Sequence, residues 1–520
     1  MNKDILFHNG TILTMNTASP KAEAMLIRCD KILALGNFDD LVKLASPDLE
    51  IMDLNGQCLM PGFHDSHVHL VYHGFSLAQL DLENTKSKAE ALELVAQKAK
   101  ELDDGSWILG AGYLLSRWGE DIHKKDLDAV APNHFVVLRS QDHHSAWLNS
   151  LALQRAGIDT NTANPEHGEI LRIDGQATGV LLEHAYDLVA EKLPKPSNQD
   201  LVRALADAAQ DLASQGITTV HHMAYEPAQF WQILAKEASK DSYPLRVWAC
   251  IDQDRIEAAA EIGLATGQGG NNFQVGGAKF FADGALGSMT SHMLEPFQNT
   301  QNYGTEVHGY KILADRFPKA IAAGLTPVIH AIGDAANRAV LDALTETKDL
   351  WQAQNMRPRI EHAQHLDAND LTRFAQLGVI ASMQPIHLRF DAKTALDLLG
   401  ERADNMHNWR SLVDSGAVLA LGSDTPVAIP NVIEAMKTGL NRKAENGQAL
   451  APEQALTIEE LLLGYTRNAA YAINWEHRSG QLKPNYDADF VLLSHNPNEG
   501  LEDLEIVATM KAGIWTHNKI

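Results

Sequence analysis

A chain of 520 residues, 45% hydrophobic and 21% charged, has the composition of an ordinary globular protein, and it exceeds the length at which one hydrophobic core keeps growing. Two domains, or one large barrel with additions, are therefore expected. The net charge of -24 would repel a phosphate backbone and no basic run offers a local patch, which argues against DNA or RNA as a partner.

The first segment, up to about residue 62, alternates short β-like runs with turn residues: "HNGTILTM", "AMLIRCDKILALG" and "LEIMDLNGQCLMPG". It lacks a signal-peptide apolar core, and no uninterrupted stretch of roughly 18 apolar residues occurs later, so neither secretion nor a membrane span is indicated. Cys29, Cys58 and Cys250 are odd in number and widely spaced, which fits neither a disulfide framework nor a C-x-x-C zinc site. A reducing, cytoplasmic setting is expected.

The run "CLMPGFHDSHVH" is the first of eight apolar, β-rich segments, each followed by a longer stretch; in seven of them that stretch is helix-compatible. The others are "GITTVHHM", "LRVWACI", "VGGAKFFADG", "LTPVIHAIG", "PRIEHAQH", "GVIASMQP" and "AVLALGSD". Eight strand and helix repeats predict an α/β fold built on a (β/α)8 TIM barrel over residues 63–474. Residues 70–200 separate the first strand from the second and carry β-like and helical runs of their own, such as "WILGAGY" and "HGEILRIDGQATGVLLEHA". They read as an insertion after barrel strand 1, placed over the barrel mouth where it would shape a substrate pocket. The final segment, 475–520, with "DADFVLLSHNP" and "IVATMKAGIWTHN", repeats the pattern of the first. Neither end has enough strands for a core, so 1–62 and 475–520 are expected to form one sheet domain.

Chemistry gathers at the predicted strand ends. In "MPGFHDSHVHLV", His67 and His69 stand two residues apart on a strand and so share a face. Lys279, His330, His362 and Asp424 close four further strands, and all would point to the C-terminal mouth of the barrel. Each alone has an ordinary explanation as a core histidine or a turn-initiating aspartate. Their coincidence predicts a metal site, with donors suited first to zinc and also to manganese, iron or cobalt. Lys279 has two readings: a buried ion pair with Asp283, or a neutral amine that adds carbon dioxide to become a carbamate bridging two metals.

"PGFHDSHVH", the strand lysine, single histidines on the fifth and sixth strands and "GSD" on the eighth resemble the amidohydrolase superfamily. "DHHSAWLNSLAL", "ATGVLLEHA", "KFFADGALGS", "SMQPIH" and "GSDTPV" are similar to its family 3 branch, which contains the N-substituted formamide deformylases and many metal-dependent hydrolases. The resemblance implies a distorted (β/α)8 barrel, a β-sandwich domain formed by both termini and one or two divalent metals at the barrel mouth. It further implies that His67, His69 and Asp424 hold the first metal and His330 and His362 the second, with carboxylated Lys279 as the bridge. The chain departs from the pattern at His143, where relatives commonly have glycine before the motif histidine His144, and at Ala285, where serine is common.

The expected activity is hydrolysis of an amide or related non-peptide C–N bond in a small molecule by metal-activated water. Asp424 would serve as the proton carrier, and His144, His222 and His387 as substrate contacts. A metal-dependent deaminase is the alternative, disfavoured because "HAIGD" stands where such enzymes resemble H-x-x-E. A non-catalytic assembly or binding protein is the third reading. A homodimer is the oligomer most in keeping with soluble proteins in general.

Overall fold

Short apolar strands at the two ends of the chain cannot cover both their faces alone, and they solve this by pairing with each other. The computed structural model describes residues 4–140, 145–166, 168–224 and 226–520. Strand Cys58–Pro61 lies between Thr11–Leu13 and Phe490–Leu493, and the sheet continues through Ile506–Lys511 to Ile514–Asn518. A second sheet joins Asp4–His8, Ala24–Arg28, Lys31–Gly36 and Glu50–Asp53. Phe7, Met25, Ile27, Leu59, Phe490 and Met510 fill one core drawn from both sheets.

Cys58–Pro61 runs through Gly62 into the first barrel strand, β1 (Phe63–Val68). The barrel follows in chain order with β2 (Ile217–His222), β3 (Arg246–Asp252), β4 (Phe273–Phe281) and β5 (Pro327–Ala331). It is completed by β6 (Arg359–His362), β7 (Ile380–Met383) and β8 (Leu419–Leu421). Each strand pairs in parallel with the next, so all eight apolar runs of the sequence are barrel strands. Backbone bonds just past the last strand bring it back to the first: Asp424 N–H donates to the His67 carbonyl over 2.7 Å, and His69 N–H to the Thr425 carbonyl over 2.9 Å.

The helices between strands bury one stripe each. Helix Tyr310–Ala322 buries Leu313, Phe317, Ala320 and Ile321, and Asp334–Glu346 buries Val340, Leu341 and Leu344, the three-and-four spacing of an apolar helix face. A buried guanidinium ties the foot of the barrel to the terminal sheet: Arg246, first residue of β3, meets Asp489 through Nε and Oδ2 at 2.5 Å.

The chain divides into two compact units, Met1–His73 with Leu205–Ile520, and Gly74–Ala204. Within the second, a six-stranded sheet runs from Gly168–Ile173 through Gln176–Glu183, Ser145–Leu148, Phe135–Ser140 and Trp107–Tyr113 to Leu80–Asp81. Ile108, Tyr113, Val136, Leu138 and Trp147 pack one of its cores. Among the described residues no helix is long and apolar enough to cross a membrane.

Candidate metal centre

The barrel strands end in polar side chains because their last residues, unlike the apolar strand bodies, face the open mouth. His67 sits one residue before the end of β1, His330 one before the end of β5, His362 closes β6, and Asp424 follows β8. One nitrogen each of His67 and His362 and one carboxylate oxygen of Asp424 lie within 4.8 Å of one another, all three residues buried. Asp424 Oδ1 is 3.2 Å from His67 Nε2 and 3.5 Å from His69 Nε2. The His330 and His362 ring centres are 4.6 Å apart.

His362 reaches this cluster by a backbone device. On a regular strand its neighbour Glu361 would face the barrel interior and His362 the outer helices. A φ of 72° at His362 and 42° at Ala363 puts both in the left-handed region, which side chains other than glycine's adopt at a cost. The strand thereby turns its last imidazole inward. Asp424 is held in the same region, with φ 64°.

Gly422 permits the approach of the last strand to the first. A Cβ there would lie 2.6 Å from the backbone nitrogen of His67 and 2.7 Å from Asp65 Oδ1, closer than packed atoms tolerate. The Asp65 carboxylate occupies that gap, accepting from the N–H groups of His67 at 3.1 Å and Ser423 at 2.9 Å.

Outer contacts orient each imidazole. His67 Nδ1 meets Glu361 Oε2 at 2.7 Å, which leaves Nε2 towards Asp424. His362 Nδ1 donates to Gln384 Oε1 at 2.9 Å, freeing Nε2. His330 Nε2 donates to the Gly284 carbonyl at 2.9 Å, leaving Nδ1. Burial pushes the His67 and His330 imidazoles down to about 4 and His362 well below its usual range, so all three are neutral with a lone pair to offer. Burial would raise the Asp424 carboxyl, but the surrounding imidazoles, His67 first, hold it well below the usual carboxylate range.

Lys279, two residues before the end of β4, is 1% exposed and its Nζ has no hydrogen-bond partner among the described residues. Burial pushes its amine below the ordinary lysine range. Asp283 does not pair with it, because its two oxygens accept the backbone N–H groups of His292, Ile332 and Gly333 at 2.7 to 3.0 Å. Neutral imidazoles, an ionised carboxylate and an orphaned buried amine at one mouth are a donor set that fits a divalent metal.

His387 and His222 flank the cluster differently. His387 begins the helix after β7, stacks on His362 with ring centres 6.1 Å apart, and directs at Asp424 Oδ2, from 3.7 Å, an Nε2 that has no hydrogen-bond partner among the described residues. His222 ends β2, accepts the Leu70 N–H on Nδ1 at 3.2 Å and faces the buried Glu226 carboxyl at 3.5 Å with Nε2. His143 and His144 lie outside the described residues. Glu361, Arg359 and Gln384 did not emerge from the sequence reading. For Arg359 and Glu361 the signal was present in "RIEH", where two charges two residues apart interrupt an apolar strand and must share its inward face.

A nearly closed parallel barrel with such side chains at the ends of its first, fourth, fifth, sixth and eighth strands is a barrel of the TIM type with a candidate metal centre at its mouth. The chain belongs to the amidohydrolase family, whose profile it matches over residues 50–513. It is 33% identical to Protein LONG AFTER FAR-RED 3 of Arabidopsis thaliana, over 95% of this chain and 87% of that one. It is 26% identical to the N-substituted formamide deformylase of Arthrobacter pascens, over 99% of each. Among solved structures, an uncharacterized metal-dependent hydrolase from Pyrococcus furiosus superposes with a TM-score of 0.79 at 25% identity, over 95% of this chain and 100% of that one.

Proposed function

We propose that this protein is a metal-dependent hydrolase that cleaves an amide or related non-peptide C–N bond of a small molecule. The observation that carries the reading is the convergence of His67, His362 and Asp424 donor atoms within 4.8 Å. His67, His69 and Asp424 would hold a first divalent ion, zinc foremost, and His330 and His362 a second, with Lys279 as its carbamate between them. A bound ion of this kind supplies Lewis acidity, which brings the pKa of water towards neutrality and polarises a carbonyl.

The side chains do the remaining work. Asp424 accepts the proton of the attacking water on its carboxylate and returns it to the departing nitrogen, so that amide and water become carboxylic acid and amine. His387 Nε2, unpartnered beside Asp424 Oδ2, hydrogen-bonds the substrate's polar group and orients it for attack. The buried walls around Lys279 and His362 limit bulk water at the reacting carbon.

Likeness to the formamide deformylase of Arthrobacter pascens makes N-substituted formamides the first compounds to assay. The test is elemental analysis of protein purified without chelators and supplied with zinc and bicarbonate, followed by amine release from a panel of formamides and acylamides. Stoichiometric metal with chelator-sensitive amine release is the expected result. Protein that takes up no metal after reconstitution would sink the reading.

A further inference from the structure

Beneath the donor cluster, the barrel interior holds a guanidinium with 0% exposure. Arg359 Nε donates to Glu361 Oε1 at 2.6 Å and Nη2 to Glu361 Oε2 at 3.2 Å. The same Nη2 also reaches the Ser66 carbonyl and Ser382 Oγ, each at 2.6 Å, and Nη1 donates to His221 Nδ1 at 2.9 Å. Glu361 Oε2 in turn meets His67 Nδ1 at 2.7 Å. A buried ion pair rarely stabilises a fold better than apolar residues of the same volume would, so its presence in a barrel floor calls for another reason.

We propose that Arg359 and Glu361 are positioning residues forming a relay under the metal site, in which Arg359 fixes the Glu361 carboxyl and Glu361 fixes His67 with its proton on Nδ1 and its Nε2 lone pair towards Asp424. A ligating histidine whose far nitrogen is bonded to a carboxylate is held in one tautomer and one ring orientation, and loss of such a partner typically costs about 10- to 100-fold in metal affinity. The two ends of the relay come from different strands: β1 supplies His67, while β6 supplies both Glu361 and the ligand candidate His362. Setting His67 from β6 therefore couples two donors of the cluster to one rigid element. This inference rests on the metal-site reading above.

Donor and acceptor chemistry gives a test. In Glu361→Gln the amide has one acceptor and one donor end. If its oxygen stays on His67, its NH2 is pressed against Arg359 Nε, the closest contact of the pair. If it turns, the NH2 faces His67 Nδ1 and drives the imidazole proton to Nε2, where it blocks coordination. Removing the cation as well, in Arg359→Met with Glu361→Gln, frees the amide to offer its oxygen to His67 again. Arg359→Met with Glu361→Leu offers no acceptor.

Zinc affinity by chelator competition and the visible spectrum of the cobalt(II) form are to be measured on the full chain, with circular dichroism as the check on folding. Glu361→Gln is expected to bind zinc about 10- to 100-fold more weakly and to show an altered cobalt spectrum. The Met/Gln pair is expected to bind more tightly than the Met/Leu pair, a difference that survives even if the single variant fails to fold. Equal affinities for the Met/Gln and Met/Leu pairs, or wild-type affinity in a folded Glu361→Gln, would overturn the relay while leaving the metal site intact. Wild-type protein that loads no ion removes the functional reading and the relay with it.

Discussion

Asp424 meets His67 twice: its backbone N–H donates to the His67 carbonyl over 2.7 Å, and its carboxylate Oδ1 faces His67 Nε2 at 3.2 Å. The first contact helps close the barrel and the second helps build the site, so the two can be separated by substitution. Asp424→Asn keeps the backbone bond and removes the proton-accepting charge. Turnover is expected to fall by about 10²- to 10⁴-fold with the thermal midpoint little changed and most metal retained. Activity near the wild-type level would remove Asp424 as the proton carrier.

Lys279 is the second target. Its buried, unpartnered amine predicts that wild-type protein reconstituted with zinc gains metal and activity when bicarbonate is supplied. Lys279→Met, which keeps the apolar stem, should lose the bicarbonate response and bind fewer ions per chain by plasma mass spectrometry. Indifference of the wild type to bicarbonate would argue for a free amine in the site.

At Gly422 the first and last strands come so close that an added methyl would fall 2.6 Å from the His67 backbone nitrogen. Neither that nitrogen nor the Asp65 carboxylate beside it can swing away as a flexible side chain could. Gly422→Ala is expected to cost about 1 to 3 kcal/mol in unfolding free energy and to weaken zinc binding by displacing His67. A chemical denaturation curve coincident with the wild type would show that the closure is looser than the distances imply.

Acid should act on the partly exposed Arg410–Glu460 pair. The Arg410 guanidinium, bonded to Glu460 through Nη1 and Oε1 at 2.8 Å, pushes the Glu460 carboxyl down to about 2 from 4.5, burial opposing it and the Thr457 cap assisting. A carboxyl lowered on folding stabilises fully above its unfolded value and loses that contribution as pH falls through the folded one. The melting-temperature difference between wild type and Glu460→Gln is therefore expected to be constant above about pH 5 and to shrink as the pH is lowered further towards 2. A difference that does not change with acidification would contradict the charge-based account.

Arg246 fastens the barrel to the terminal sheet, with Asp489 at 2.5 Å and Asp487 at 3.5 Å. Arg246→Ala removes the bidentate partner of the buried Asp489 carboxylate and should lower stability by about 3 to 5 kcal/mol, read from urea unfolding. Asp487 keeps Arg478 and Lys31, so a loss below 1 kcal/mol would show that Asp489 does not depend on the Arg246 guanidinium.

The fold was legible because each barrel strand announces itself locally. Runs such as "LRVWACI" and "GVIASMQP" are apolar, β-rich and spaced by helix-length segments, and all eight became strands of one parallel sheet. The clustering of His67, His330, His362 and Asp424 was readable for the same reason, since strand ends in such a barrel converge. What stayed hidden depends on partners remote in sequence. Nothing near His362 foretells the positive φ that turns it inward. The Glu361 to His67 bond joins residues 294 positions apart, and Asp283 reads as an ion-pair partner for Lys279 until its three backbone donors are seen. Likewise Gly422 looks like an ordinary turn glycine in "LGSDTP".

The terminal sheet bears on how the molecule comes into being. Cys58–Pro61 leads directly into the strand that carries His67; Thr11–Leu13 covers one of its edges, but the other pairs with Phe490–Leu493, with Phe490 opposite Pro61 and Leu493 opposite Cys58. During synthesis on the ribosome, the stretch bearing the first imidazoles emerges early and must wait for hundreds of later residues before its edge is covered. Pairings of such long sequence separation form slowly and leave strands exposed in the meantime. The nascent chain would thus spend most of its elongation with that edge open.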